Sequence, residues 1–435
     1  MILPARRLLV AAGVLTGAGV AASALPWLLP AWAAAAVGLC VVAAYDAISA
    51  LVATRPSAHR RVPGSLALGV ECHPTVEIDN PSQRALDIAV YDHHPVGFEA
   101  QGLPQNLRVP PGDIARFSYR ARPLVRGEHR FGPIELRVAS RLGLWQRALR
   151  AGTPQGVRVY PNFAALAGYA LLATDHRLSR MGVLERQRRG EGVEFHQLRE
   201  YREGDAQRQI DWKASARTLK LISREYQDER DQTVMILLDC GRRMGARDGA
   251  LGHFDHVLNA ALLLAYASLR QGDAVGLTTM SGPERWLAPR KSASTVNLIL
   301  NRVFDLQPSR LSPDYYAAAV GLMSRLRKRS LIVLLTNLRD EDEDTLAPAL
   351  RLLQSRHLVL FASLREGILS RALLTRVTSF DRALTHAAAA EYLRQRELAF
   401  RRMERGGAVC IDADPERLPI ALVNRYLQIK RERTL

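Results

Sequence analysis

The chain has 435 residues, of which 48% are apolar, and its 60 Lys and Arg against 43 Asp and Glu give a formal net charge of +17. This composition excludes a disordered chain, a disulfide-rich miniprotein and a wholly membrane-embedded transporter, and the length predicts two to four domains. The four cysteines share no zinc-ligand spacing and predict no disulfide framework. The excess of basic residues is typical of proteins that bind nucleic acid or anionic lipid.

The first 54 residues predict a transmembrane helical hairpin. Residues 8–53 form an apolar run that contains one charged residue, Asp46, and is about twice as long as one bilayer-crossing helix. Its centre holds two prolines, which interrupt helical hydrogen bonding, and two tryptophans, which suit a membrane interface: Pro26, Trp27, Pro30 and Trp32. We favour this hairpin (1–54) over a signal peptide followed by a buried helix, because no polar stretch separates the two halves.

Basic residues flank both ends of the predicted hairpin: Arg6, Arg7, Arg55, His59, Arg60 and Arg61. By the positive-inside rule, both termini would face the cytoplasm, as in a multi-pass protein of the bacterial inner membrane. Unpaired cysteines fit that reducing compartment. Asp46 is either a functional acid inside the membrane or, as we favour, an acid solvated at the interface.

Residues 62–160 alternate between apolar and polar positions in short stretches separated by Pro and Gly, which predicts roughly seven strands in a small sandwich-like domain. The pair His93 and His94 precedes a proline in a predicted loop. Two neighbouring histidines can bind a metal, but no further ligand stands at a suitable spacing. We therefore favour an ordinary exposed turn.

Residues 176–232 form a connector in which acidic and basic residues are mixed, so a simple phosphate-binding arm is not indicated. Arg189 to Gly192 has the composition of a hinge. The following residues, 198–217, alternate acids and bases around a Gly-Asp turn and one Trp. This pattern favours an ion-pair network that docks the connector onto a domain.

A family pattern also occurs in this connector, at Arg199, Tyr201, Gly204, Asp205, Arg208, Ile210, Asp211, Trp212, Lys213, Ser215, Ala216 and Arg217, followed by Arg224-Glu225 and Glu229-Arg230. Two further elements precede it in the same order, at 125–148 and 159–162. The chain resembles the domain of unknown function 58 family, bacterial membrane-anchored proteins in which a von Willebrand factor A-like domain follows a β-rich region.

Residues 233–435 predict an α/β fold, a doubly wound sheet with helices on both faces. Buried strands are predicted at 233–241, 274–281, 330–338, 357–364 and 408–414, with helices between them, one of which runs to about 404. Ligands of this architecture bind at the carboxyl ends of the strands. The loops after residues 238 and 336 are therefore the expected site.

The resemblance implies a degenerate metal site in those loops. Von Willebrand A domains commonly hold a magnesium-type ion through an Asp-x-Ser-x-Ser motif and a second Asp, whereas this chain has Asp239, Gly241 and Arg243, with Asn337 at the second-acid position. A divalent ion beside Arg243 would be repelled, so we expect no metal and no other cofactor. Arg243 either pairs with Asp239 in place of the ion or points into solvent.

Two other groups near these loops have simple structural explanations. The acidic residues 340–344 suit the start of a helix, although they could also attract a basic partner. Asp255 and His256, close to His253, also lie where a helix starts, and there capping and exposure are more common than catalysis.

The sequence thus favours a membrane-anchored interaction or scaffold protein. The resemblance implies association with a MoxR-type AAA+ ATPase and a transglutaminase-like membrane protein, in assembly or maturation of an envelope or protein complex. An enzyme is disfavoured because no known catalytic motif is present. Nucleic-acid binding is unlikely because aromatic residues, 6% of the chain, are scarce; anionic lipid is the better electrostatic partner. Either the strand ends or the connector would bind the ATPase, and Trp212 is predicted to be a core anchor.

Overall fold

The computed structural model describes residues 1–162, 194–202, 207, 210–227, 232–249, 251–339 and 342–432. It divides into two compact units, Met1–Tyr160 and Pro161–Leu435. The mixed α/β class predicted from the sequence is confirmed. The predicted hinge at 189–192 and the connector residues before it, 176–188, lie outside the described residues.

Unit 1 begins with strand β1 (Ile2–Pro4), helix α1 (Arg6–Ser23), a 3-10 turn (Pro26–Leu28) and helix α2 (Leu29–Val52). Among the described helices, α2 is the one that is long and apolar enough to cross a membrane. The two helices pack closely, since Trp32 Nε1 donates to the carbonyl oxygen of Leu15 at 2.8 Å. A Cβ at Gly19 would lie 2.8 Å from the same indole nitrogen, so this contact needs glycine.

The rest of unit 1 is β-rich, and it starts earlier and has more strands than the sequence predicts. The strands are β2 (Ser57–Arg61), β3 (Ser65–Ala67), β4 (Thr75–Asp79), β5 (Leu86–Asp92), β6 (Phe98–Gln101), β7 (Gln105–Val109), β8 (Ile114–Ser118), β9 (Arg120–Pro123), β10 (Gly127–Phe131), β11 (Ile134–Ala139), β12 (Trp145–Ala151) and β13 (Gln155–Tyr160). The largest described sheet of unit 1 has the order β1-β12-β11-β5-β7, so the N-terminal strand forms one edge. Alternate residues of β5 point into a core, as a half-buried strand requires.

The last turns of α2 are fixed to the β-rich part of unit 1. The buried carboxylate of Asp46 accepts hydrogen bonds from the Ser140 hydroxyl and from the backbone N–H groups of Leu142 (2.9 Å) and Leu144 (3.1 Å). Trp145 Nε1 donates to a helix carbonyl, that of Ala43, at 2.8 Å. The predicted role of Asp46 as an acid solvated at the interface is therefore wrong, because its carboxylate is buried against a turn of the same unit.

Arg60, which the sequence suggested as a membrane-flanking cation, is buried in unit 1. Its guanidinium pairs with Asp92 and lies 4.9 Å from the centre of the Phe131 ring, and Tyr119 donates to the same carboxylate at 2.7 Å. A buried ion pair of this kind contributes nothing to orientation at a membrane surface.

The expected turn at His93 is present, and His93 Nε2 lies 3.3 Å from Glu135.

Unit 2 contains a sheet whose described strands have the order β20-β19-β16-β21-β22-β23 and are parallel except at the β19–β20 edge. Its strands and those of the smaller ladders are β14 (Glu194–Glu200), β15 (Ile222–Gln227), β16 (Thr233–Asp239), β17 (Arg247–Asp248), β18 (Leu251–Gly252), β19 (Ala274–Met280), β20 (Trp286–Arg290), β21 (Leu331–Thr336), β22 (Leu358–Leu364) and β23 (Val409–Ala413).

Helix α3 (Trp212–Thr218) belongs to the β14–β15 hairpin. The helices that follow it lie around the large sheet and cover both of its faces: α4 (His253–Arg270), α5 (Thr295–Val303), α6 (Tyr315–Arg325), α7 (Glu343–Gln354), α8 (Gly367–Leu374), α9 (Phe380–Arg405) and α10 (Leu418–Arg431). The region predicted as one helix ending near 404 is two helices, α8 and α9. Ile236 packs in one core with α4 and α10, and its neighbour Leu237 packs in the other with α6, α7 and α9. This alternation explains why β16 is apolar throughout.

Candidate functional site

The first candidate site is the strand-end rim, defined here as Asp239, Arg243, Thr336, Asn337 and Asp342. It lies where β16 and β21 end side by side and where the order of the parallel strands reverses, the usual ligand position in such sheets. Both oxygens of the buried Asp239 carboxylate are engaged. One accepts from the Gly241 N–H and the other from the Thr336 hydroxyl, each at 2.7 Å.

Arg243 closes the rim from within. Its side chain is 4% exposed and forms an ion pair with Asp342, which is 5% exposed. Neither predicted position is correct, because the ion pair of Arg243 is with Asp342 rather than Asp239 and the side chain does not face solvent. Burial raises the pKa of Asp239, and the nearby charge of Asp342 adds to this shift while Arg243 opposes it.

Asn337, at the predicted second-acid position, turns away from Asp239. Its Nδ2 donates to Glu366 Oε1 at 3.1 Å, and the Arg339 guanidinium binds the same oxygen at the same distance. The hydroxyl of Tyr315 instead fills the space between the acids, 3.0 Å from the Thr336 hydroxyl and 3.4 Å from Asp342.

A further arginine, Arg396 of α9, binds the ends of the sheet. Its buried guanidinium donates to the Leu338 and Leu364 carbonyls and the Ser363 hydroxyl, and it pairs with Asp412 at 2.9 Å. Sequence reasoning missed this residue, because a single arginine in a long charged helix carries no signal of burial. The rim is thus held by internal ion pairs and hydrogen bonds.

The flanking residues are structural as well. Asp255 Oδ2 accepts the Gly252 N–H at 2.9 Å, which is the expected cap of α4, whereas His256 is buried rather than exposed. In the acidic run, Asp342 is a buried ion-pair partner, and Asp340 and Glu341 lie outside the described residues. Within the described ranges, no group of three or more His, Cys, Asp or Glu is placed to hold a metal ion.

The second candidate site is the signature hairpin, defined here as β14, α3 and β15. Asp211 caps α3, since its Oδ1 accepts the N–H groups of Lys213 and Ala214, each at 3.0 Å, and its Oδ2 accepts Arg224 Nε at 2.9 Å. These bonds favour the charged form and lower the pKa of Asp211, the Ala214 N–H most. The hydroxyl of Ser215 accepts the Ile222 N–H at 2.8 Å and ties α3 to β15.

Trp212 follows this cap and is 68% exposed, so its predicted role as a core anchor is wrong. Other exposed apolar side chains of the hairpin are Leu198, Leu219 and Leu221. Leu219 has a φ of 55°, a left-handed conformation that costs energy for a branched residue and is held by the tight turn between α3 and β15. Two exposed cations, Lys213 and Arg217, lie in the same helix as Trp212.

The signature residues therefore divide into two groups. Asp211, with its partner Arg224, builds the hairpin, and the Tyr201 N–H adds a backbone bond to Leu221 at 2.8 Å. Arg199 lies on β14, half-buried, and donates to the Glu200 carbonyl at 3.1 Å. Trp212 and its cationic neighbours remain at the surface. Three members of the pattern lie outside the described residues: Gly204, Asp205 and Arg208.

Comparison with known proteins gives one family match, to "Protein of unknown function DUF58", over residues 197–369. The match covers the rim and, from residue 197 onward, the signature hairpin. An uncharacterized protein of Bacillus subtilis (strain 168), YeaD, is 24% identical over 180 residues, which are 40% of this chain. The chain likewise spans 40% of the length of that curated relative.

Similar solved structures include a mutant of Salmonella alpha-2-macroglobulin, with 19% identity over 25% of this chain and 7% of that chain, at a TM-score of 0.20. A FixG-related protein from Vibrio parahaemolyticus has 13% identity over 24% of this chain and 94% of that chain, at a TM-score of 0.18. Neither likeness bears on the fold or the function of this chain.

Proposed function

We propose that the chain is a membrane-anchored, cytoplasm-facing interaction or scaffold protein that binds a MoxR-type AAA+ ATPase through its signature hairpin. It would act in assembly or maturation of an envelope or protein complex, alongside a transglutaminase-like membrane protein. The observation that carries the proposal is the exposure of Trp212, 68%, on a hairpin whose hydrogen bonds hold it in place.

The chemistry of the hairpin surface suits a protein partner. Trp and Arg are the side chains that most often dominate binding energy at interfaces, and Trp212 lies in the same short helix as Arg217. Leu219 and Leu221, which follow this helix in the hairpin, add exposed apolar area. Because the Asp211 cap and the Ser215 bond fix α3, the tryptophan would lose little conformational entropy on binding.

The rim is a weaker docking site. Its Arg243 and Asp342 are almost completely buried, and the Asp239 carboxylate is fully buried and accepts a hydrogen bond at each oxygen. The order of the sheet and an acid at the end of its first strand support a von Willebrand factor A-like domain. In that domain, Arg243 and Asp342 would supply internally the rigidity that an ion supplies elsewhere.

Helix α2 supports the membrane anchor. Along its length the exposed side chains include Val37, Val41 and Ile48, which are 60% or more exposed to the surroundings. A soluble protein would bury such a surface, whereas acyl chains accommodate it. The two ends of the α1–α2 segment lie at the same edge of unit 1, because β1 pairs with β12 and Asp46 binds the turn before β12. This arrangement supports a hairpin with both termini on the cytoplasmic side of the bacterial inner membrane.

The proposal is tested by crosslinking and affinity purification of the full-length chain from native membranes. We expect an AAA+ ATPase with the wild type and at least about tenfold less with Trp212→Ala, because a central aromatic residue contributes about 2 kcal/mol or more at an interface. Tyr316→Ala is the matched control, since Tyr316 is 49% exposed on α6 in the same unit. Undiminished recovery with a folded Trp212→Ala variant would contradict the assignment of the hairpin.

A further inference from the structure

The turn between α8 and α9 carries exposed apolar side chains that neither candidate site uses. Leu374, the last residue of α8, is 87% exposed, and Phe380, the first residue of α9, is 82% exposed. Three more large apolar side chains are exposed beside them: Ile368, Val377 and Leu384. We call residues 367–388 the helical tip.

The core of unit 2 does not explain these residues. No residue of α8 is buried, and the buried residues of α9 begin only at Ala389. Leu384 follows Phe380 by four positions and therefore lies on the same face of α9, where the small residues Ala387 and Ala388 continue the exposed apolar stripe. The first two turns of α9 thus present an apolar face outward, and an apolar face of this kind marks a contact with a partner or a membrane.

The charges of the helical tip indicate which partner would cover its apolar face. It contains three arginines, Arg371, Arg376 and Arg382, and a single acid, Asp381. Two copies of a basic surface repel each other, which disfavours a symmetric contact with a second chain. Phe and Leu interleaved with Arg are the composition of helices that lie in the headgroup region of an anionic leaflet.

We propose that the helical tip is a second membrane contact, in which Leu374 and Phe380 enter the acyl region of an anionic leaflet and Arg376 and Arg382 bind its phosphate headgroups. This inference rests on the membrane anchoring given under Proposed function. The tethered chain brings the tip to a bilayer at high effective concentration, so even a weak interfacial contact would be occupied.

The test uses the full-length chain in nanodiscs, with the exposed Cys40 replaced by Ala and an NBD fluorophore attached to one new cysteine. The three labelled variants are Phe380→Cys in the tip, Val37→Cys in α2 and Val320→Cys, which is 47% exposed on α6. The Cys40→Ala chain without a new cysteine gives the background. We expect nitroxide-labelled lipid to quench Phe380→Cys and Val37→Cys about twofold more than Val320→Cys.

The outcomes separate the two membrane contacts. If Val37→Cys is quenched and Phe380→Cys behaves like Val320→Cys, the helical tip is not a membrane contact, and the anchor stands. If Val37→Cys is not quenched, the anchor fails and this inference fails with it. Concentration-dependent emission from Phe380→Cys without lipid quenching would identify a second copy as the occupant and overturn the proposal.

The role of the arginines is tested by lipid composition. Addition of phosphatidylglycerol to phosphatidylcholine nanodiscs should increase quenching of Phe380→Cys, and Arg376→Glu with Arg382→Glu should abolish this increase because headgroup attraction becomes repulsion. An unchanged increase in the doubly substituted chain would overturn headgroup binding.

Discussion

The strand-end rim and the signature hairpin are both rich in charged residues, yet they use them in opposite ways. In the rim, Arg243 and Asp342 are buried and form an ion pair with each other. In the hairpin, Asp211 and Arg224 fix the backbone, and Trp212 is left at the surface. A charged motif is available to a partner only where its own fold leaves side chains exposed at the surface.

The largest effect is expected at the rim. Arg243→Ser removes one member of a buried ion pair and leaves the Asp342 carboxylate without its cation, which should lower the free energy of unfolding by about 3–5 kcal/mol. Denaturant unfolding of the full-length chain in detergent measures this loss. The exposed neighbour provides the control, since Arg242→Ser should change stability by no more than about 0.5 kcal/mol. Equal effects of the two substitutions would mean that the rim is open and would break the comparison.

The second effect extends the comparison to unit 1, where Asp46 is another buried acid with internal partners. Asp46→Ala removes the acceptor of the Leu142 and Leu144 N–H groups, and because both hydrogen bonds are only partly buried, each loss should cost about 1 kcal/mol. Hydrogen exchange at these two amides should accelerate in the variant. Ser49→Ala, one turn further along α2, is the control, and unchanged exchange in Asp46→Ala would return Asp46 to the role of a solvated acid.

A smaller effect is expected in the hairpin. Asp211→Ala removes the cap of α3 and should accelerate amide exchange at Lys213 and Ala214 about fivefold. Since the pKa of Asp211 is lowered in the folded chain, its stabilising contribution is complete above the ordinary aspartate pKa of 3.8 and is lost as the pH falls through the lower folded value. Acidification should therefore lower the protection of these amides, measured relative to the intrinsic exchange rate at each pH, in the wild type and leave the protection in Asp211→Ala unchanged.

The smallest expected effect is that of divalent ions. Because the Asp239 oxygens accept two internal hydrogen bonds and Arg243 lies close by, titration of the full-length chain with magnesium or manganese should give no saturable heat and no shift in melting temperature. A stoichiometric isotherm in the micromolar range would mean that the rim retains a metal site. The charged groups of the rim would then be open to a ligand, and the contrast with the signature hairpin would be weaker.

Much of the fold follows from the sequence, because strand and helix patterns are local. The apolar run that ends at Asp239 predicts β16 correctly, and the same reasoning places Asn337 just after β21. The partner of Arg243 could not be predicted, since Asp342 is 99 residues away and belongs to a run whose acids look alike in sequence. Thr336 could have been predicted as a rim residue, because its hydroxyl stands at the end of a strand beside the one that ends in Asp239.

The error over Trp212 has a different cause. A single tryptophan in a charged segment is usually buried, but α3 has only seven residues and is stabilised by its cap and by hydrogen bonds to β15 rather than by apolar packing. The exposure of Trp212 therefore depends on the tight turn between α3 and β15, whose geometry the sequence does not reveal. Asp46 is similar, since its partners lie 94 to 98 residues away.

The attachment of α2 to the β-rich part of unit 1 determines how close that part would lie to a bilayer that α2 spans. The turns from Ala43 to Ala53 contact β12 and the turn before it, so the free part of the helix, from Leu29, is about 21 Å long at 1.5 Å per residue. A hydrocarbon core is about 30 Å thick. A spanning α2 would therefore draw residues 140–147, the turn between β11 and β12 and the start of β12, into the headgroup layer. Any force applied to unit 1 would then reach the bilayer without a slack linker.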